Sequence, residues 1–273
     1  MMVKTLVENT SRTEEFGSEY GLSLYIETKQ HSILFDVGAS GLFLENARKM
    51  GVDISEVDYL IISHGHRDHG GGLRAFLQEN KRAEVFLHRL ALEKYYAKRL
   101  NGEPEYIGLE GSLKQSRQIV LTSDRFFIHR GIQVFSNITQ SKPLSVSNSG
   151  LLREQDREMV NDTFAHEQNL VIEEDGKALL VTGCAHNGIV NILEHFYSFK
   201  RRMPDIVIGG FHLFSRSGGN ESLHTIDKIG KYLMETKAKY YTCHCTGIEA
   251  YHRFKAMMGE KIDYLSAGSE III

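Results

Sequence analysis

The sequence predicts an α/β fold, and three observations carry that prediction. Short apolar runs alternate with helix-like segments through most of the chain. Six of the 13 histidines stand at or just past the ends of four of those apolar runs. No linker or low-complexity tract interrupts residues 1–273, so the chain reads as one domain.

The elements follow in order. Residues 22–27 and 32–36 read as a hairpin around Lys29-Gln30, broken off by Asp36-Val37-Gly38, with helical character over 40–50. Residues 59–63 form a buried-strand run that ends at His64. Helix is predicted over 73–79, strand over 84–88 and helix again over 91–99. Short strands at 126–129 and 132–135 flank Arg130-Gly131. Residues 143–168 are polar, turn-rich and strand-poor. That stretch fits an active-site lid or insert, or a solvated surface excursion. Regular alternation then resumes: a hairpin of 170–174 and 178–182 at Asp175-Gly176, helix at 188–199, strand at 205–209, helix at 222–236, strand at 239–243 and helix at 247–258.

Composition narrows the class. Lys and Arg number 32 against 35 Asp and Glu, a formal charge of −3. With no long basic run, a dedicated binder of large nucleic acids is not expected. No window is long and apolar enough to span a bilayer, and residues 1–12 hold no signal-peptide stretch. The expectation is a cytoplasmic protein with no membrane partner. Cys184, Cys243 and Cys245 each lie within two residues of a histidine. They read as reduced thiols near a metal site, or as small buried hydrophobes.

The histidines are the informative feature. His64, His66 and His69 follow the 59–63 run, His186 follows 178–182, His212 follows 205–209 and His244 follows 239–243. In layered α/β proteins the same ends of neighbouring strands converge on one crevice. His64 and His66 are two apart, so in extended chain both point the same way. Asp68 and His69 lie past a bend, suited to a second ion. Glycines 65, 70, 71 and 72 allow the tight turning this needs. Imidazoles and a carboxylate suit zinc and its neighbours, and manganese, iron and nickel are compatible. The spacing is that of an open, catalytic site of divalent transition metal rather than a closed structural one.

His64-Gly65-His66-Arg67-Asp68-His69 resembles the signature of the metallo-β-lactamase superfamily. Phe35-Asp36-Val37-Gly38, Thr182-Gly183-Cys184-Ala185-His186 and Cys243-His244-Cys245-Thr246-Gly247 match further elements of that family in order. The resemblance implies a four-layer αββα sandwich with mixed sheets and a two-metal cleft. It implies that His64, His66 and His186 hold the first ion, and Asp68, His69 and His244 the second. Asp68 would also accept a proton from a metal-activated water. Asp36 would support a ligand imidazole from behind, or act as a turn residue capping Gly38. One position departs: Gly209-Gly210-Phe211-His212 stands where many members carry an aspartate bridging the metals. His212 is therefore either a ligand of the second metal or a catalytic, substrate-facing group.

The motif set is similar to one branch, named for archaeal 7,8-dihydropterin-6-methyl-4-(β-D-ribofuranosyl)-aminobenzene-5'-phosphate synthases. That implies a metal-dependent hydrolase or transferase acting on a small phosphorylated or heterocyclic, pterin-like substrate. The alternatives are a phosphodiesterase or nuclease on a small nucleotide, and a non-catalytic ligand-binding module. Candidate contacts to an anionic substrate are Arg67, His88, Asn187 and Arg216 with Ser215 and Ser217. Gly188 joins them, because it opens a helix whose free amides would attract an anion. His166, Glu167 and Gln168 receive no role. The oligomeric state is not legible in the sequence.

Overall fold

The computed structural model describes residues 1–99, 101–216 and 219–273. In chain order its strands begin with β1 (Met2–Val7), β2 (Ser23–Glu27), β3 (Ser32–Phe35), β4 (Tyr59–Ile62), β5 (Glu84–His88) and β6 (Tyr95–Lys98). They continue with β7 (Pro104–Tyr106), β8 (Ile119–Thr122), β9 (Arg125–His129), β10 (Ile132–Phe135), β11 (Leu151–Gln155) and β12 (Glu158–Asn161). The last are β13 (Asn169–Glu174), β14 (Lys177–Val181), β15 (Ile206–Gly209), β16 (Lys239–Thr242), β17 (Ile262–Tyr264) and β18 (Glu270–Ile272). The helices are α1 (Leu42–Lys49), α2 (Arg67–Gly70), α3 (Leu73–Glu79), α4 (Ile189–Lys200), α5 (Leu223–Glu235) and α6 (Ile248–Met258).

Contacts divide the chain into two units. One holds Met1–Tyr95, Tyr106–Asp124 and Leu265–Ile273; the other holds Tyr96–Glu105 and Arg125–Tyr264. In the first unit a seven-stranded mixed sheet runs β18-β1-β2-β3-β4-β5-β8. Its pairs are antiparallel from β18 to β3 and parallel from β3 to β8. In the second unit the order is β9-β10-β13-β14-β15-β16-β17. There the pairs are antiparallel from β9 to β14 and parallel from β14 to β17. Each unit thus repeats one plan, three antiparallel pairs followed by three parallel ones. The parallel strands place their carboxyl ends at one edge of the sheet, where side chains on the outgoing loops gather.

Helices cover one face of each sheet. In the first unit Phe43, Ala47, Leu73 and Phe76 pack with Leu34, Leu60, Val85 and Leu87. In the second, Ile192, Leu193 and Phe196 of α4, Ile226 and Leu233 of α5, and Phe254 of α6 pack with Val171, Leu180, Val207 and Tyr240. The central strands are buried on both faces, which is why 59–63 reads as a continuous apolar run. Ser222 caps α5 by accepting from the Thr225 amide at 3.2 Å. Phe196→Ala in the second core should cost about 3–5 kcal/mol, read as a lowered denaturant midpoint.

Two expectations are corrected. The stretch 91–99 is not a helix: residues 91–94 form a turn and Tyr95–Lys98 form β6, which pairs within a four-stranded sheet of order β12-β11-β6-β7. Ala91, Leu92, Glu93 and Lys94 are good helix formers, but β6 alternates buried Tyr95 and Ala97 with more open Tyr96 and Lys98. Tertiary pairing overrides local propensity here. Residues 143–168 are not strand-poor, since β11 and β12 form a hairpin. Its two-residue loop is Asp156-Arg157, with φ of 52° and 70°. A left-handed turn normally announces itself by glycine or asparagine, and arginine gives no such signal. The hairpin at Asp175-Gly176 uses the usual residues, which is why it is legible.

Candidate functional site

In the first unit the chemistry begins where β3 and β4 end. Asp36 leaves β3 in the left-handed region, with φ 60°, and is fully buried. Its Oδ1 accepts from the Ser63 amide and its Oδ2 from the Ser63 hydroxyl, both at 2.7 Å. Oδ2 also accepts from His69 Nδ1 at 2.7 Å. Ser63 has spent its proton on Asp36, so its Oγ accepts from His64 Nδ1 at 2.8 Å. Both imidazoles therefore carry their proton on Nδ1 and present the Nε2 lone pair, the form a metal requires. The three rings are close, with His64 centred 4.6 Å from His66 and 4.2 Å from His69.

The string is anchored by its backbone as well. The Arg67 amide donates to Ile107 O at 2.7 Å, and the Val37 amide to His69 O at 2.8 Å. Gly65 spaces the first two histidines because nothing larger fits: an added Cβ would lie 2.4 Å from Ala91 O and 2.7 Å from the Tyr95 ring. Asp68 is half-buried, its Oδ2 3.7 Å from His69 Nε2. Arg67 is exposed. His88 ends β5 as a buried residue, and its Nδ1 accepts from the Leu90 amide at 3.4 Å, a turn-closing role.

In the second unit the loops after β14, β15 and β16 carry the corresponding groups. Each holds a non-glycine residue in the left-handed region: Ala185 at φ 55°, His212 at 48° and His244 at 51°. Such backbone strain costs on the order of 1–3 kcal/mol and persists only where the surroundings enforce it. The surroundings here are hydrogen bonds between the loops. Gly210 donates to Gly183 O at 2.9 Å, Leu213 to Cys245 O at 2.9 Å, and the Phe211 amide to Thr246 Oγ1 at 2.9 Å. His186 is buried, its ring 4.1 Å from that of His212 and stacked at 4.6 Å on Phe164. Asn148 clamps it, Oδ1 accepting from Nδ1 at 2.9 Å and Nδ2 donating to His186 O at 2.8 Å. His186 is thus held in the same tautomer as His64 and His69.

The donor set suits a metal ion. Ligand atoms of Cys184, His186 and His212 lie within 4.8 Å of one another, as do those of Cys184, His244 and Cys245. His212 is 6% exposed, and its ring faces the Cys245 thiol, with no nitrogen or oxygen partner among the described residues. A buried imidazole in that condition is costly without a ligand to fill it.

One expectation at this turn is corrected. The amides expected to receive an anion at 187–188 are already taken. Glu167 accepts from the His186 amide at 2.6 Å, the Asn187 amide at 3.0 Å and Asn187 Nδ2 at 2.8 Å. The Gly188 amide donates to Ala185 O at 2.8 Å. The anion at this turn is the protein's own carboxylate. Burial pushes the Glu167 carboxyl up, against the hydrogen bonds from Asn187 and His186 that hold it down. Glu167→Ala should strand those buried donors at about 1–3 kcal/mol each and lower the denaturant midpoint accordingly.

Glu167, Asn148 and Ser63 had no assignment from sequence. The only signal for Glu167 and Asn148 was their place in or beside the turn-rich stretch 143–168. Arg216 is exposed on the loop after β15, and Ser217 lies outside the described residues. The loops carrying His186 and His212 also wall a cavity of about 430 Å³, lined by Leu144, Val146, Ile189, Phe211, Ile229 and Tyr232 among others.

Comparison with known proteins places the chain in a family. The family model of the metallo-beta-lactamase superfamily matches residues 17–223. A solved metal-dependent hydrolase of the beta-lactamase superfamily is 30% identical, with a TM-score of 0.84 over 100% of this chain and 99% of its own. The 7,8-dihydropterin-6-methyl-4-(beta-D-ribofuranosyl)-aminobenzene-5'-phosphate synthase of Methanocaldococcus jannaschii is 28% identical over 98% of this chain and 95% of its own length. An uncharacterized protein of the same organism is 27% identical over 91% and 92%. The fold is the metallo-beta-lactamase fold, and the chain belongs to the metallo-beta-lactamase superfamily.

Proposed function

We propose that the chain is a metal-dependent enzyme, a hydrolase or transferase, acting on a small anionic substrate of phosphorylated or pterin-like chemistry. The observation that carries this reading is the set of buried imidazoles whose Nδ1 protons are fixed by Asp36, Ser63 and Asn148. Such fixing has a purpose where the opposite nitrogen binds an ion. The proposed ligands are His64, His66, Asp68 and His69 in one unit and His186, His212 and His244 in the other. Two ions are proposed, zinc first, with manganese, iron or nickel suited to the same donors.

Bound divalent ions of this kind polarise a phosphoryl or carbonyl oxygen and bring coordinated water to a pKa of about 7. The chain's own groups do the rest. Asp36 and Asn148 hold imidazoles in orientation, and Asp68, half-open beside buried His69, is placed to take up a proton. The small size of the substrate is supported by the charge of −3, which offers no basic track for a polymer. The pterin-phosphate chemistry is supported by the Methanocaldococcus jannaschii synthase, similar over nearly its whole length.

The test is metal analysis followed by turnover. Protein purified without chelators should hold transition metal. Reconstituted protein should turn over pterin phosphates or another small phosphorylated class, and leave lactones and thioesters untouched. Turnover confined to nucleotide diesters would replace this substrate with that of a phosphodiesterase. No metal on purification or reconstitution would overturn the reading.

A further inference from the structure

Two ligand triads of the second unit share one atom. Cys184 Sγ belongs to the group with His186 and His212 and also to the group with His244 and Cys245, each within 4.8 Å. All five side chains are buried. Tetrahedral zinc with ligands at about 2.0–2.3 Å spaces its ligand atoms by somewhat less than that limit, so small side-chain movements close either triad on an ion. His212, buried and with no nitrogen or oxygen partner for its ring among the described residues, stands in the first of them.

We infer that Cys184 is a metal ligand, its thiolate being the anionic donor common to the two triads. The inference rests on the metal-dependent reading above and goes beyond it by naming sulfur as a ligand. Charge is the physical reason. Among the potential ligands of this unit the three histidines are neutral when they bind, so two dications would face no fixed negative charge from them. A thiolate supplies that charge at the vertex where the triads meet, and sulfur lone pairs can serve two ions. On binding, the Cys184 S–H bond breaks, a sulfur–metal bond forms and the proton leaves to solvent. No electron is transferred.

Of the neighbouring thiols, Cys245 belongs to the second triad alone. Cys245 donates its S–H to Cys184 O at 3.5 Å. Gly210 makes room for it, since a Cβ there would lie 2.4 Å from Cys245 Sγ. Cys243 is in neither of these triads, though fully buried.

X-ray absorption on the zinc-loaded chain reads the ligands directly. The wild type should show a sulfur shell at about 2.3 Å beside nitrogen and oxygen at about 2.0–2.1 Å. Cys184→Ser should lose that shell, while Cys243→Ser and Cys245→Ser keep it. Cys184→Asp, which restores an anionic donor, should retain more metal than Cys184→Ser but show no sulfur. Circular dichroism of each variant checks the fold. If Cys184→Ser fails to fold, a sulfur shell kept by the Cys243→Ser/Cys245→Ser double variant, in which Cys184 is the remaining cysteine, supports the inference, and its loss there overturns it. Zinc bound with no sulfur shell, or a shell that survives Cys184→Ser and vanishes with Cys245→Ser, overturns the inference while leaving the metal-dependent reading intact. A chain that takes up no zinc overturns both.

Discussion

Replacing His66 and His69 together by alanine should bring bound metal down to background in chelator-free protein, with circular dichroism unchanged. His69 is the better fixed of the two. Its ring is fully buried and its Nδ1 proton is committed to Asp36 at 2.7 Å, leaving Nε2 for an ion. His66 reaches the same neighbourhood through the extended chain on either side of Gly65, its ring 4.6 Å from that of His64. Removing both takes two of the four donors that this string offers. Without an ion to lower the pKa of a coordinated water, turnover should fall below detection. Metal analysis checks the first effect and the substrate screen the second. Retention of the wild-type metal content would show that the ligands lie elsewhere.

The second large effect is expected at Asp36, which touches no substrate in this reading. Asp36→Ala removes the acceptor of three buried donors: the Ser63 amide, the Ser63 hydroxyl and His69 Nδ1. Each stranded donor costs about 1–3 kcal/mol, and the three will not add fully because Ser63 contributes two of them. The left-handed φ of 60° adds to the loss, since alanine has no side-chain hydrogen bond to hold that conformation. Metal affinity should fall roughly 10–100-fold, as it does when the group behind a ligand histidine is lost. Asp36→Asn separates the two effects. It keeps the shape and one oxygen acceptor, so part of the stability should return, the amide nitrogen still facing at least one of the three donors. The neutral amide does not raise imidazole basicity, so affinity should stay low. Titration of apoprotein with zinc, beside denaturant unfolding, measures both. Equal recovery of stability and affinity in Asp36→Asn would mean that Asp36 acts only as a turn residue.

These two predictions show how unevenly the site could be read in advance. The string from His64 to His69 is contiguous, so its meaning survives without knowledge of the fold. Asp36 is legible for a similar reason, because it sits in a short motif at a strand end. Glu167 and Asn148 are different. They meet His186 across 19 and 38 residues of sequence, and nothing local marks either as its partner. Gly188 shows the converse: a helix start is a sound site for an anion, but the sequence does not say that the amides just before it, at 186 and 187, already serve a glutamate of the same chain.

What this sequence determines by itself is the placing of ligands at strand ends. Strands covered on both faces must be continuously apolar, and a histidine directly after such a run has only the loop to occupy. That logic locates β4, β14, β15 and β16 and the histidines beyond them. What only the tertiary structure decided are the features that depend on pairing between distant segments. Residues 95–98 are a strand because β11 and β7 flank them, against a local preference for helix. The 151–161 hairpin closes through a left-handed Asp-Arg turn that composition does not announce. Cys184 comes beside both His186 and His244 only because β14 and β16 flank β15 in parallel, bringing their carboxyl ends to one edge of the sheet. Local chemistry is written in short stretches of chain, whereas partners across the fold are set by the register and packing of the sheet.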